Sequence, residues 1–172
     1  MDIRLATLPD LERYAECGRR AQAWLDSQGI GQYVPAAHAA NHDGIRARIT
    51  AGTLFVAVDQ ETAVGFFAFD PQPSIWWPTD GLPARYLSGM VVDRQRSHCG
   101  VGSHIIRWAA ETARQSGCQA VRLDCFAGNP WLCRYYERHG FQLQGQIEQH
   151  PGYMGCLYQL HLNDDATAQA DD

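Results

Sequence analysis

Val91-Val92-Asp93-Arg94-Gln95-Arg96-Ser97-His98-Cys99-Gly100-Val101-Gly102-Ser103 is the stretch on which the fold turns. An apolar strand ends in a polar turn, and the turn opens a helix. Glycine tolerates positive φ and lets a ligand approach the backbone closely. The first N–H groups of the helix that follows have no acceptor within it. Together with the helix dipole they form an anion site, and a diphosphate is its natural occupant. Two rival phosphate motifs fit poorly. A dinucleotide-binding G-x-G-x-x-G needs glycine at 105, where Ile105 stands, although Asp124 does follow about 20 residues on. No G-x-x-x-x-G-K-S/T occurs in the chain. An isolated G-x-G also occurs as a plain cap between a strand and a helix, so the surrounding segments must decide.

Working outward, residues 103 to 116 carry Ile105, Ile106, Ala109, Ala110 and Ala113 on one helical face, and Gly117 ends the helix. The strand Ala120 to Phe126 follows, then a helix opening at Asn129-Pro130 and closing at Gly140. Strands Phe141 to Ile147 and Tyr153 to Leu162 come last. Upstream, Tyr86 to Val92 reads as a strand, preceded by a Pro-rich loop over 71 to 83. Thr53 to Asp59 and Ala63 to Asp70 read as a hairpin across Gln60-Glu61-Thr62. A first strand over Asp2 to Thr7 leads through Thr7-Leu8-Pro9-Asp10, with Thr7 as N-cap, into a helix ending near Ser27. A second helix is expected over about 38 to 51, with Gly52 as its stop. This order predicts an α/β fold, with a mixed sheet flanked by helices on both faces.

The chain has 172 residues, enough for one buried core, so one domain is expected over 1 to 162 with an acidic, fraying tail from 163 to 172. No apolar run approaches the roughly 18 residues of a membrane span, and the first residues lack a secretory pattern, which predicts a cytoplasmic protein with no membrane partner. With 14 basic against 19 acidic residues, the chain offers no basic stripe for nucleic acid. Cys17, Cys99, Cys118, Cys125, Cys133 and Cys156 form no C-x-x-C pair and stand mostly among apolar neighbours. They read as reduced, small hydrophobes, with neither zinc nor a disulfide expected.

A second informative segment runs Asn129-Pro130-Trp131-Leu132-Cys133-Arg134-Tyr135-Tyr136-Glu137-Arg138-His139-Gly140-Phe141. In this order the two segments resemble the cofactor core of the GNAT superfamily of acyl-CoA N-acyltransferases. That core has a strand followed by Q/R-x-x-G-x-G/A at a helix start, and later N-x-x-A-x-x-x-Y-x-x-x-G-F. Ser97 stands where Gln or Arg is usual, and Cys133 lies near the usual small residue. The resemblance implies acetyl-CoA as co-substrate and no metal. It places the pantetheine arm along Met90, Val91 and Val92, in a gap between splayed strands. Ser97, His98, Cys99, Gly100, Val101, Gly102 and Ser103 would surround the pyrophosphate, with Arg94 or Arg96 able to replace the missing side-chain contact. Asn129 would touch the arm, and Tyr136 would point at the sulfur. Ala23-Trp24-Leu25, Gly31-Gln32-Tyr33 and Tyr86-Leu87 also resemble a bacterial subgroup of that family.

Acetyl transfer to an amine needs a base, because a lysine-type amine with pKa near 10.4 is protonated at neutral pH. It also needs a donor to the thioester oxygen, for which a backbone N–H near Val91 is a candidate, and an acid for the leaving thiolate. Tyr136 is the candidate acid. Asp124 and Ser88, the latter through water, are the candidate catalytic partners, with His38 or His42 as further bases. His38 and His42 also show a metal-ligand spacing, but without an H-E-x-x-H they read as an exposed helical pair. Tyr33, Trp76 and Trp77 are the acceptor-site candidates, the tryptophans either as an aromatic wall for a cation or as packing. A small-molecule amine is the expected acceptor. A protein lysine or N-terminus is the alternative, a non-catalytic acyl-CoA sensor is the reading from another class, and a homodimer is left open.

Overall fold

Thr7 and Asp10 set the first boundary: the Thr7 N–H and hydroxyl both donate to Asp10 Oδ2, at 2.7 and 2.8 Å. They close a capping turn between β1 (Asp2–Leu5) and α1 (Leu11–Ser27). This computed structural model describes residues 1–162; the acidic stretch expected to fray lies outside the described residues. After α2 (His42–Thr50), the strands β2 (Leu54–Asp59), β3 (Thr62–Asp70) and β4 (Ala84–Val92) follow. Then come α3 (Val101–Gln115), β5 (Ala120–Phe126), α4 (Pro130–Arg138), β6 (Gln142–His150) and β7 (Tyr153–His161).

The strands form one seven-stranded sheet in the order β1-β2-β3-β4-β5-β7-β6. β4 and β5, joined through α3, pair in parallel; the other neighbours pair antiparallel. Side chains alternate across a strand, so each face acquires its own core. Phe67, Leu87, Leu123 and Tyr158 pack with Ile105, Ala109 and Tyr136, which places α3 and α4 on one face. Val56, Phe66 and Val91 pack with Tyr14, Leu25 and Ile45, which places α1 and α2 on the other. Burying each such aliphatic or aromatic side chain is worth about 1.5–3 kcal/mol.

Four expectations are corrected. The helix expected over 38 to 51 is shorter, because Pro35–Ala37 and Ala39–Asn41 form separate 3-10 turns before His42. His38, extended between those turns, therefore shares no helix face with His42. Nor is the pair exposed: both Nε2 atoms are buried and meet no hydrogen-bond partner among the described residues. The first strand ends at Leu5, where the capping turn takes over. The hairpin turn between β2 and β3 holds two residues, Gln60 and Glu61, both left-handed with φ of 45° and 67°. Two positive φ values in succession match a type I′ turn, whose twist suits paired strands.

Candidate active site

β4 and β5 pair only at Ala84↔Ala120, Arg85↔Val121 and Tyr86↔Arg122, then part, although β4 continues to Val92 and β5 to Phe126. Gly89 marks the divergence. Its φ is +57°, and the β3–β4 register slips beside it, the signature of a bulge. The bulge changes the phase of the strand. Tyr86 and Ser88 face the α2 side, whereas Met90 and Val92 pack towards α3 and α4. The Tyr14 hydroxyl donates to the Gly89 carbonyl at 3.1 Å and ties the bulge to α1.

The turn after β4 is held from below. Asp93 is buried, accepts from the Gln95 N–H at 3.1 Å, and pairs with Arg13 and Arg20 of α1. Burial alone would raise the Asp93 carboxyl; the Gln95 N–H and the two guanidiniums outweigh it and hold the carboxyl below its usual range. His98 and Gly100 are both left-handed, with φ of 66° and 76°. The first helical bond of α3 runs from the His104 N–H to the Gly100 carbonyl at 2.9 Å. The N–H groups of Val101, Gly102 and Ser103 precede it and have no acceptor within the helix. A Cβ on Gly100 would meet nothing within 4 Å, so the left-handed backbone rather than lack of room is what favours glycine there. Gly102 is small for a different reason: a Cβ there would collide with the Tyr135 hydroxyl and lie 3.3 Å from its Cζ. Ser103 Oγ lies 2.9 Å from His139 Nε2, linking α3 to α4. Arg94 stacks on Trp24, and Arg96 stands 3.7 Å from Asp59.

Tyr136 is buried on the α4 side among Tyr135, Phe141 and Tyr158. Burial pushes its hydroxyl above the ordinary tyrosine range, so it stays protonated. Asp124 opens onto the other face, into a cavity of about 540 Å³ lined by Arg48, Asp70, Trp77, Ser88, Arg122 and Leu123 among others. Burial raises the Asp124 carboxyl, opposed by Gln149, whose Nε2 donates to it at 2.8 Å. The charges of Arg48 and Arg122 are matched by Asp70 and Asp80, whereas the partner of Asp124 is a neutral amide.

The structure thus gathers Asp124, Ser88 and Trp77 around one cavity. Trp77 carries Arg122 over its ring at 4.7 Å. Trp76 stands edge-on to His150 at 6.0 Å and does not line the cavity. Tyr33 also lies outside the lining, stacked on His38, its hydroxyl accepting from Asn41 at 2.7 Å. Asn129 caps α4, accepting from the Leu132 N–H at 3.2 Å, and donates to Gln32 at 2.7 Å. Among the described residues, no group of three His, Cys, Asp or Glu side chains is placed to hold a metal ion, and no helix is long and apolar enough to cross a membrane.

The sequence profile of the acetyltransferase (GNAT) family matches residues 19–141, which contain both the turn and the Tyr136 helix. The chain belongs to the GNAT acetyltransferase family. No curated protein sequence matches it significantly. Among solved structures, a GNAT-family acetyltransferase from Listeria monocytogenes superposes with a TM-score of 0.76 at 24% identity, over 94% of each chain. A Salmonella typhimurium protein solved with its cofactor acetyl-CoA gives 0.68 at 19% identity, over 99% of each chain. A GNAT-family acetyltransferase from Bacillus cereus gives 0.66 at 14%, over 93% of this chain and 96% of its own. At these identities the likeness establishes the GNAT fold.

Four residues of the candidate site are given no role by the sequence reading. Gly89 is a lone glycine in a strand, which is a bulge signal. Asp93 ends a buried strand and carries the side chain of a turn former. Arg122 and Gln149 carry no local signal: their partners Asp80 and Asp124 lie 42 and 25 residues away in sequence.

Proposed function

We propose that the protein transfers an acetyl group from acetyl-CoA to the primary amine of a small molecule, by direct attack within a ternary complex. The parting of β4 and β5 carries this reading. It leaves β4 beyond Tyr86 without a strand partner on its β5 side, as an added extended ligand requires. It also joins the donor-rich turn and Tyr136, on one face, to Asp124 and the cavity on the other. When bound, acetyl-CoA supplies the activated acyl group.

The chain's own residues divide the remaining work. The N–H groups of Val101, Gly102 and Ser103, with the turn from Ser97 to Gly100 around them, receive the pyrophosphate, and Arg96 adds charge at the rim. Asn129 meets the pantetheine arm at the start of α4. Asp124 attracts the ammonium form of the acceptor as the one cavity-lining carboxylate without a cationic partner among the described residues, then takes its proton, directly or through water on Ser88. A backbone N–H near Val91 donates to the thioester oxygen, and the Tyr136 hydroxyl donates a proton to the departing sulfur. General acid or base assistance is worth about 10²- to 10⁴-fold at each end. A cavity of about 540 Å³ lined by the loop of Pro71–Pro73, Ser74 and Trp77 suits a small amine better than a protein surface.

Release of free thiol from acetyl-CoA across a panel of amines and lysine peptides tests the reading. Turnover on small amines is expected. Tight CoA binding with no turnover on any amine would replace it with a non-catalytic acyl-CoA-binding role.

A further inference from the structure

Three thiols meet between β5 and α4. Cys125 and Cys156 are direct partners in the β5–β7 register, and Cys125 Sγ lies 3.9 Å from Cys133 Sγ. All three are free. Asn129, Cys133 and Tyr136 recur at i, i+4 and i+7 and so share one face of α4. Two members of that stripe, Asn129 and Tyr136, are buried and Cys133 is half-buried. Cys133 therefore stands between the two α4 residues assigned above to the pantetheine arm and to the sulfur.

We propose that Cys125 and Cys133 form an oxidant-responsive modification site, in which a peroxide links them as a disulfide whenever the cofactor cleft is empty. Its position in the cleft rests on the acetyl-CoA reading; the thiol pair does not. In the first step the Cys133 sulfur attacks a peroxide oxygen: an S–O bond forms, the O–O bond breaks, and an alcohol or water leaves. In the second, the Cys125 sulfur attacks the sulfenic sulfur of Cys133: the S–S bond forms, the S–O bond breaks, and water leaves. The two thiols lose two electrons and two protons, all taken up by the peroxide. The sulfurs must close from 3.9 Å to about 2.05 Å. Half-buried Cys133 meets the oxidant first, and burial holds the Cys125 thiol protonated until its neighbour is activated. The link would fasten α4 to β5 along the wall that the arm has to pass.

Cofactor-free protein is treated with hydrogen peroxide, alkylated and digested, and the peptides are read by mass spectrometry. The expected result is a cross-link between the peptides of Cys125 and Cys133, reversed by dithiothreitol, absent in Cys133→Ser and retained in Cys156→Ser. Oxidation to unlinked sulfinic or sulfonic acids, or a cross-link through a different pair, overturns the proposal. This arm uses the wild-type fold, so it stands even if a serine variant folds poorly. In the second arm, CoA at 100 times its dissociation constant should slow cross-linking about 100-fold, in proportion to the free fraction of protein. Equal rates with CoA shown to be bound by thermal shift overturn the placement of Cys133 in the cleft. Failure of CoA to bind at all counts against the acetyltransferase reading and leaves the first arm to decide the thiol pair.

Discussion

A single oxygen separates the packing of Tyr136 from the chemistry proposed for it. Its ring packs against Tyr135, Phe141 and Tyr158, so Tyr136→Phe keeps that packing and deletes the hydroxyl alone. kcat should fall about 10²- to 10⁴-fold with the acetyl-CoA KM nearly unchanged. Single-turnover kinetics checks this, and a wild-type chemical step would reduce Tyr136 to a core residue. Asp124 gives the opposite stability signature. Its carboxyl is raised by burial, so the unfolded chain ionises first, and stability is lost as pH rises above the unfolded value of about 3.9. Asp124→Asn removes that buried charge. The variant should melt at a higher temperature than wild type at pH 7 while losing kcat/KM. A lower melting temperature would show that the carboxylate is there for structure.

At the scale of elements, α3 and α4 meet where Gly102 lies under Tyr135. In a helix, Gly→Ala is worth up to about 1 kcal/mol, but overpacking costs about 1–3 kcal/mol, so Gly102→Ala should destabilise. Removing the hydroxyl with Tyr135→Phe relieves the collision, and the double variant should recover most of the loss in a denaturant-unfolding cycle. Additive losses would mean that the two helices yield freely. Gly102→Glu adds negative charge at the turn and should abolish CoA binding. The turn itself depends on α1: Asp93→Asn leaves Arg13 and Arg20 without their shared carboxylate and should cost about 2 kcal/mol, measured by urea unfolding. The helices and strands around the turn were legible because each carries its own period and punctuation. The second helix is shorter than the span of 38 to 51 expected for it: Ala39 and Ala40 favour a helix, yet Pro35 and the packing of Ala36 against α1 impose turns. Ser88, Asp124 and Tyr136 could be picked out in the sequence as chemical candidates. The cavity that joins Asp124 to Ser88 could not, since it depends on a bulge and on partners distant along the chain.

For the molecule as a whole, acetyl-CoA at about 100 times its dissociation constant should add about 2.7 kcal/mol of stability, and NAD none. A thermal shift with NAD and none with CoA would sink the assignment. Acid should unfold the protein from below about pH 4. Asp10, lowered to about 2 chiefly by its bond to Arg4, and Asp93 stabilise the fold above their unfolded values and lose that contribution as pH falls through their folded ones. The order β5-β7-β6 has a consequence for synthesis. β7 is inserted between two strands made before it, so a ribosome that has translated only as far as β6 holds β5 with no antiparallel neighbour. That end of the sheet cannot be sealed from the first residue onward; it waits for residues 153 to 161 to leave the exit tunnel. Stalled chains ending at 150 should therefore stay protease-sensitive and sticky, and those carried past 162 on an appended linker of a tunnel's length should become resistant in one step.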